Sequence, residues 1–211
     1  MFFFDLDGTL WDATESTAHA WTEVFQKWTL GIHVSADTIR SVAGKPYMDC
    51  LESIAPIATS LPNVSDLLED LEISERNWMD RIGGVLYPDV VEGLKILSEY
   101  KKLYLVSNCK GWYLDAFLSQ SGLADSFVKT VCHGKTGLKK SDNLIKLMQE
   151  ERIDHGFYVG DTVGDLTSAK DVGLIYVHAN YGFGGRDVET TNCHPNFSSI
   201  TRYLMSIDKQ E

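Results

Sequence analysis

Short apolar runs alternate with amphipathic stretches along much of the chain. Five runs are typical of buried parallel strands because they are short, apolar and end at polar residues; they lie at residues 2–4, 103–106, 127–131, 157–159 and 174–177. Helical patterns lie between the runs, at residues 89–100, 111–121, 141–152 and 162–172. Pro88 opens the first of these helices, Ser141 is expected to cap the third, and Gly122 and Gly173 end the second and fourth. This alternation predicts an α/β fold with a doubly wound parallel sheet.

One long stretch breaks the alternation. Residues 14–83 contain no convincing strand, and Trp21, Phe25 and Trp28 form one helical stripe that we expect to be core. A short helical pattern follows Ser35 and ends at Gly44, and two further patterns cover residues 48–54 and 65–81. The chain is therefore expected to have a sheet domain, residues 1–14 and 83–211, with an all-helical domain, residues 15–82, inserted into it.

Composition and charge limit the classes of molecule that the chain is expected to bind. The chain has 30 acidic and 19 basic residues, a formal net charge of −11, so nucleic acid and anionic membranes are disfavoured as partners. No apolar stretch is long enough to span a bilayer, and the first residues lack the basic region of a signal peptide. The four cysteines form no C-x-x-C pair, which favours reduced thiols and a cytoplasmic location.

Reactive side chains follow three of the predicted strands. Asp5 and Asp7 follow the first, Ser107 and Asn108 end the second, and Asp161 follows the fourth. Ligands of open parallel sheets bind beyond the carboxyl ends of the strands, so these residues are expected to meet at one site.

Each of these features also has an ordinary structural explanation. The DxDG stretch could be an acidic turn, and the aspartates of GDTVGD could complement a helix dipole. Ser107 and Asn108 could cap a helix, and Lys139 and Lys140 could be solvated surface residues. Taken one at a time, the motifs leave these alternatives open.

The order of the motifs is more informative than any one of them. DLDGTL at 5–10, LVSN at 105–108, Lys140 before Ser141, and VGDTVGD at 159–165 follow one another in a chain of alternating strands and helices. This order resembles the haloacid dehalogenase-like hydrolase superfamily, and the helical insertion resembles that family's C1-type cap. Among its members the chain looks most like the phosphoglycolate phosphatase-like group. The resemblance implies a Rossmann-like catalytic core.

The resemblance also implies a role for each matched residue. Asp5 would be the nucleophile that forms an aspartyl-phosphate, and Asp7 the general acid and base. Mg²⁺ would be held by Asp5, the backbone carbonyl of Asp7 and Asp161, with Asp165 fixing metal-bound waters. The phosphoryl oxygens would be held by a further set of residues: Thr9, Ser107, Asn108 and Lys140.

The loop at residues 44–47 is the candidate specificity element of the insertion. In related capped proteins the corresponding loop reaches the substrate, which suggests Lys45 and Tyr47 as contacts to the leaving group. The alternative is an ordinary turn between surface helices. The six histidines show no metal-binding spacing.

The chain is accordingly expected to be a Mg²⁺-dependent phosphatase acting on a small phosphorylated metabolite, with no obligate protein partner. Asp7 matters here, because dehalogenases and phosphonate hydrolases of the superfamily lack an acid at that position. Two alternatives stay open. One is a sugar phosphomutase that uses the same residues, and the other is a non-catalytic protein that binds a phosphorylated ligand.

Overall fold

The computed structural model describes residues 1–207, apart from the side chain of Arg186. The chain divides into two compact units. The sheet unit contains Met1–Trp11 and the chain from Leu86 onward, and the helical unit contains Asp12–Val85. Within residues 1–207, no helix combines the length and the apolar character that a membrane span requires.

The strands are mostly short. In chain order they are β1 (Phe2–Phe4), β2 (Trp11–Asp12), β3 (Val85–Leu86), β4 (Leu103–Ser107), β5 (Lys129–Cys132), β6 (Phe157–Gly160), β7 (Ile175–Ala179) and β8 (Cys193–His194). Six of them form one sheet in the order β5-β4-β1-β6-β7-β8, and every neighbouring pair is parallel. Since β1 lies in the middle and later strands add on both sides of it, the sheet is doubly wound as the pattern predicts. The remaining two strands, β2 and β3, form a separate two-stranded sheet.

The helices fill the connections between the strands and make up the inserted segment. In chain order they are α1 (Thr14–Lys27), α2 (Ala36–Val42), α3 (Tyr47–Ile54), α4 (Pro56–Thr59), α5 (Val64–Ile82), α6 (Val90–Tyr100), α7 (Gly111–Ser121), α8 (His133–Thr136), α9 (Lys140–Glu151), α10 (Val163–Asp171) and α11 (Phe197–Ile207). Short 3₁₀ turns occur at Ala124–Ser126 and Gly185–Asp187.

The middle of the large sheet is apolar because it is covered on both faces. Phe3 and Phe4 of β1 are fully buried. The ring of Phe3 stacks on Tyr104 at 5.1 Å, while Phe4 lies 6.0 Å from Phe197 of α11. This burial explains why the runs read as nearly continuous apolar segments instead of alternating ones.

The prediction that Ser141 caps α9 is wrong. Ser141 does not precede the helix but lies in its first turn, since α9 begins at Lys140 and its N-cap position is Lys139. The backbone N–H of Asn143 donates to the carbonyl of Lys139, which starts the helical hydrogen bonds two residues earlier than a Ser141 cap would allow. The earlier start places Lys140, a buried residue, on the first turn of the helix.

The helical unit has its own core. Trp21 and Phe25 of α1 are buried and Trp28 is packed against them, so the predicted aromatic stripe is core. The indole N–H of Trp21 donates to Glu75 Oε1 at 2.6 Å, and the Tyr47 hydroxyl donates to the same oxygen at 3.0 Å. Glu75 is thus a buried carboxylate that is satisfied by two aromatic donors.

Candidate functional site

The sheet register brings three strand ends level with one another. Phe4 pairs with Leu105 of β4 on one side and with Val159 of β6 on the other. Asp5 follows directly, and its backbone N–H donates to the Val159 carbonyl at 2.8 Å. Ser107 ends β4, and Asp161 follows the last residue of β6, so the polar residues expected at the carboxyl edge of the sheet do lie along it.

Three buried carboxylates and one buried ammonium form the centre of this edge. Oxygen atoms of Asp5, Asp161 and Asp165 lie within 4.8 Å of one another. The Nζ of Lys140 is 2.8 Å from Asp5 Oδ1 and 2.6 Å from Asp165 Oδ1. Lys140 is only 5% exposed, so it is a buried counter-charge and not a solvated surface lysine.

The charges in this acid cluster, Asp5, Asp161 and Asp165, are unbalanced. Burial, followed by the negative charge of Asp165, raises the pKa of Asp5 to about 7, against the opposing effect of Lys140. Burial and the negative charges of Asp165 and Asp5 also raise the pKa of Asp161 well above its ordinary value. One lysine does not neutralise three carboxylates, so the cluster favours either protons or an added cation.

Asp165 is the exception because its partners outweigh its burial. Burial raises the pKa of Asp165. The charge of Lys140 and the hydrogen bonds from Lys140 and Thr162 lower it by a larger amount, so the pKa lies below its ordinary value. Its Oδ2 accepts from the backbone N–H of Thr162 at 3.0 Å and from the Thr162 hydroxyl at 2.7 Å. The two residues form a capping box at the start of α10. Asp165 therefore stabilises the helix start and fixes Lys140 at once.

Asp161 is held by donors that the sequence did not reveal. Its Oδ2 accepts the backbone N–H groups of Phe183 at 2.7 Å and Gly184 at 3.3 Å. These amides belong to the glycine-rich stretch YGFGGRD, residues 181–187, which follows β7. The one available signal was its position directly after a strand end.

Thr9 and Gly8 close around the same carboxylate. The Thr9 hydroxyl, expected at the phosphoryl oxygens, donates to Asp161 Oδ1 at 3.2 Å. Gly8 has a φ of +76°, and a Cβ there would lie 2.2 Å from Asp161 Oδ2. The glycine of the DxDG motif is required both by its backbone conformation and by this close approach.

The Asp7 carboxylate has a hydrogen-bond partner outside the acid cluster. Its Oδ1 lies 2.5 Å from the hydroxyl of Tyr113 on α7, which donates to it. The Tyr113 ring in turn packs edge-on against Trp11 at 5.5 Å and Trp112 at 5.7 Å. Sequence reasoning missed Tyr113, because nothing in the sequence links it to a residue 106 positions earlier.

Ser107 and Asn108 do not cap the helix that follows them. The N-cap position of α7 is Lys110, so the simple capping alternative is wrong. Ser107 Oγ instead accepts the backbone N–H of Cys109 at 3.2 Å and is buried within a tight turn. Asn108 is partly exposed at the same turn.

The two predicted specificity residues have different environments within the helical unit. Lys45 is exposed, with its Nζ 3.5 Å from Ser53 Oγ. Tyr47 is the first residue of α3, not a loop residue, and packs edge-on against Trp21 at 5.7 Å. Burial and the negative charge of Glu75 raise the pKa of Tyr47.

The donor set fits a hard divalent cation. Three buried carboxylates can supply anionic oxygen ligands, and Mg²⁺ prefers such oxygens and retains waters on its other positions. A cation there would also remove the charge imbalance that raises the pKa of Asp5 and Asp161.

Comparison with known proteins agrees with this reading of the motifs. The family model described as haloacid dehalogenase-like hydrolase matches residues 2–179. The phosphoglycolate phosphatase of Rhodobacter capsulatus is 27% identical over 187 residues, which cover 85% of this chain and 84% of that protein.

Solved structures share the fold over nearly the full length. A predicted phosphoglycolate phosphatase from Haemophilus somnus aligns with a TM-score of 0.81 and 17% identity over 97% of both chains. A haloacid dehalogenase-like hydrolase from Streptococcus pneumoniae aligns with a TM-score of 0.79 and 21% identity, over 96% of this chain and 97% of that one.

Proposed function

Because the chain belongs to the haloacid dehalogenase-like hydrolase family, we propose that it is a Mg²⁺-dependent phosphatase that works through an aspartyl-phosphate. The observation that carries this proposal is the buried group of Asp5, Asp161 and Asp165 with Lys140 bridging two of the carboxylates. Such a group would supply a nucleophile, metal ligands and a phosphate-binding cation at one point.

Asp5 attacks the phosphorus of the bound ester in this proposal. The attack forms a bond from a carboxylate oxygen to phosphorus and breaks the bond from phosphorus to the leaving oxygen. Water then hydrolyses the resulting aspartyl-phosphate and restores Asp5. Burial suits this role, since the carboxylate is held in one place beside its counter-charge.

Asp7 supplies the proton that the leaving oxygen needs, and then accepts a proton from the attacking water. Because Mg²⁺ would take only the backbone carbonyl of Asp7, the side chain stays available for both steps. Tyr113 orients it through the hydrogen bond to Asp7 Oδ1. A protein that only bound phosphate would have no use for this pair.

Lys140, Ser107 and Asn108 hold the phosphoryl oxygens. The ammonium of Lys140 already lies between Asp5 and Asp165, so it can contact an oxygen of a phosphoryl group carried by Asp5. As a compact charge, it compensates the repulsion between a carboxylate and an anionic ester. Asn108 and the turn stabilised by Ser107 lie at the neighbouring strand end.

Mg²⁺ would be held by Asp5, the backbone carbonyl of Asp7 and Asp161, with Asp165 orienting metal-bound waters. When bound, it would supply positive charge against the nucleophile and the transferring group. With Lys140 it would return three positive charges to a site with four carboxylates, which leaves a net charge close to zero. The site could then accept a phosphate dianion in a chain whose net charge is −11.

The proposed substrate is a small phosphorylated metabolite. The name of the Rhodobacter capsulatus relative makes phosphoglycolate the first compound to assay. Lys45 and Tyr47 are proposed contacts of the leaving group, with Lys45 the more available of the two because it is exposed. We place the protein in the cytoplasm, where thiols stay reduced, because all four cysteines are free.

Hydrolysis of p-nitrophenyl phosphate with and without Mg²⁺ tests the proposal. We expect turnover that a chelator abolishes and that Mg²⁺ restores, and no turnover by Asp5→Asn. Asp7→Asn should lose about a hundredfold or more, the usual range for an acid and base. A panel of phosphate monoesters that includes phosphoglycolate then ranks substrates by kcat/KM. Metal-independent activity, or near-normal activity of Asp5→Asn, would contradict the mechanism.

A further inference from the structure

A buried histidine that the proposed reaction does not use lies beside the loop that holds Asp161. His178 belongs to β7 and is fully buried. A histidine ring carries two polar nitrogens, and burying them is costly unless each has a hydrogen-bond partner. Both nitrogens of His178 have partners. The partners connect the histidine to the two segments that surround Asp161.

The first of these segments is the loop at residues 181–185, which lies directly against Asp161. The backbone N–H groups of Phe183 and Gly184 donate to Asp161 Oδ2, at 2.7 Å and 3.3 Å. A Cβ added to Gly184 would overlap the backbone carbonyl of Asp161, so only glycine allows the two backbones to approach this closely. The two N–H groups reach the carboxylate only while the loop keeps this position.

His178 fixes the far end of this loop. Its Nε2 lies 2.8 Å from the carbonyl oxygen of Gly185. A carbonyl oxygen only accepts hydrogen bonds, so Nε2 carries a proton and donates it. Gly185 directly follows Gly184, so this bond holds the chain next to the second of the two N–H groups that contact Asp161.

The other ring nitrogen connects to the strand that precedes Asp161. The Nδ1 of His178 is 3.2 Å from the hydroxyl oxygen of Tyr176. This hydroxyl donates to the carbonyl of Gly160 at 2.8 Å, and Gly160 is the residue before Asp161. The histidine and the tyrosine therefore connect the loop to the end of β6, and these two segments determine where the Asp161 carboxylate lies.

We infer that His178, supported by Tyr176, is a positioning residue that holds the 181–185 loop so that its N–H groups orient Asp161 as a cation ligand. Hydrogen bonds from N–H groups to a carboxylate are charge-assisted and stabilise its ionised form, the form that binds a cation. Groups that orient a metal ligand typically change metal affinity by about 10–100-fold when they are substituted. The effect on Mg²⁺ rests on the proposed function, whereas the contact that holds the loop does not.

The variants His178→Gln and His178→Asn test the contact with Gly185. Both replace the ring with an amide of the same polarity. The glutamine nitrogen can take the place of Nε2 and donate to the Gly185 carbonyl, whereas asparagine is one methylene shorter and stays beside Tyr176. The difference between the two variants therefore reports the bond to the loop and not the loss of the ring.

Amide hydrogen exchange of the metal-free full chain, followed by NMR, gives the first measurement. We expect the N–H groups of Phe183 and Gly184 to exchange about tenfold or more faster in His178→Asn, and within about threefold of the original rate in His178→Gln, because an unanchored loop opens more readily. The N–H of Asp5, bonded to the Val159 carbonyl in the sheet, reports global unfolding. Unchanged loop exchange, or the same acceleration at Asp5 as in the loop, would overturn the inference.

Mg²⁺ affinity from isothermal titration calorimetry gives the second measurement. We expect the dissociation constant to rise about tenfold or more in His178→Asn and to stay within about threefold of the original value in His178→Gln. The control is His194→Asn on the neighbouring strand β8, which should keep its Mg²⁺ affinity because the nitrogens of His194 contact Ser199 and Asn192. Equal affinities in the two His178 variants would overturn the inference.

Loss of the loop contact and absence of the cation site give different results. An unsubstituted chain that binds no Mg²⁺ would contradict the proposed function, while the exchange rates still decide whether His178 holds the loop. Should His178→Asn fail to fold, Tyr176→Phe takes its place, because it removes the hydroxyl between His178 and Gly160. We expect it to speed exchange of the Phe183 N–H by about threefold or more, and unchanged exchange would overturn the inference.

Discussion

The hydroxyl of Tyr113 donates a hydrogen bond of 2.5 Å to Asp7 Oδ1, joining the first helix after β4 to the first motif of the chain. The bond fixes the carboxylate that the proposed mechanism uses as acid and base. The Tyr113 ring is itself held by two tryptophans, so the orientation is built into the core of the sheet unit.

Tyr113→Phe should impair the acid step and leave the nucleophile intact. Losing a hydrogen bond to a charged group costs about 1.5–3 kcal/mol, or about tenfold or more in rate if it acts in the transition state. We expect this loss in kcat/KM, which reports formation of the aspartyl-phosphate, with alkyl phosphates, whose leaving oxygen needs a proton, and a much smaller loss with p-nitrophenyl phosphate.

Rates over a series of esters with different leaving groups provide the measurement. The matched control is Tyr100→Phe, at an exposed tyrosine on α6, which should leave the series unchanged. An equal loss on all esters would show that Tyr113 supports the fold and does not position Asp7.

Lys140→Met should destabilise the protein as well as inactivate it. Removing one partner of a buried ion pair leaves uncompensated charge and costs about 3–5 kcal/mol. Here the ammonium faces two carboxylates, Asp5 and Asp165, and all three groups are buried. Urea unfolding of the metal-free protein measures the loss.

The neighbouring residue gives the control for this prediction. Lys139→Met removes the same charge at an exposed position and should change stability by less than about 0.5 kcal/mol. Equal effects of the two substitutions would contradict the buried role of Lys140.

Mg²⁺ should stabilise the protein more at pH 7.5 than at pH 5. The pKa of Asp5 is raised to about 7, and that of Asp161 is raised as well. A carboxyl with a raised pKa in the folded state stabilises the fold at low pH, and this contribution is lost as the pH rises from about 4 through the folded value. The pKa of Asp165 is lowered, so this residue changes the stability of the fold only below about pH 4. Mg²⁺ therefore replaces a proton that Asp5 still holds at pH 5 and has largely lost by pH 7.5.

Thermal unfolding with and without Mg²⁺ at the two pH values checks this linkage. In Asp161→Asn, one charge of the cluster is absent, so metal-free Tm at pH 7.5 should rise and the shift caused by Mg²⁺ should shrink. A shift of equal size at both pH values in the unsubstituted chain would count against cation binding at these carboxylates.

Gly8→Ala should abolish metal-dependent activity. The new Cβ would meet Asp161 Oδ2 at 2.2 Å, so this carboxylate or the DxDG turn must move. Gly173→Ala is the matched control, because Gly173 has nearly the same φ, +75°, but no atom within 4 Å of an added Cβ. It should cost only the backbone strain, about 1 kcal/mol, and keep activity.

Activity assays and urea unfolding of both variants separate the clash from the strain. Comparable activity in Gly8→Ala and Gly173→Ala would show that Asp161 tolerates displacement.

Much of the sheet unit follows from local patterns. The apolar runs predicted β1, β4, β6 and β7 to within a residue or two, and α7 occupies the predicted residues. Such runs are informative because strands buried on both faces must be apolar throughout. The two-residue strands β2, β3 and β8 were not predicted, since they are too short to show any periodicity.

The sequence by itself determined which polar residues lie at the carboxyl edge of the sheet, because a strand end followed by Asp, Ser or Gly-Asp has a fixed place in a parallel sheet. Only the tertiary structure decided how those residues are oriented. The bond from Tyr113 to Asp7 and the bonds from the amides of Phe183 and Gly184 to Asp161 join segments distant in sequence. Local propensity and spacing describe neighbours along the chain, whereas these contacts depend on how the strands pair and the helices pack, which no single segment specifies.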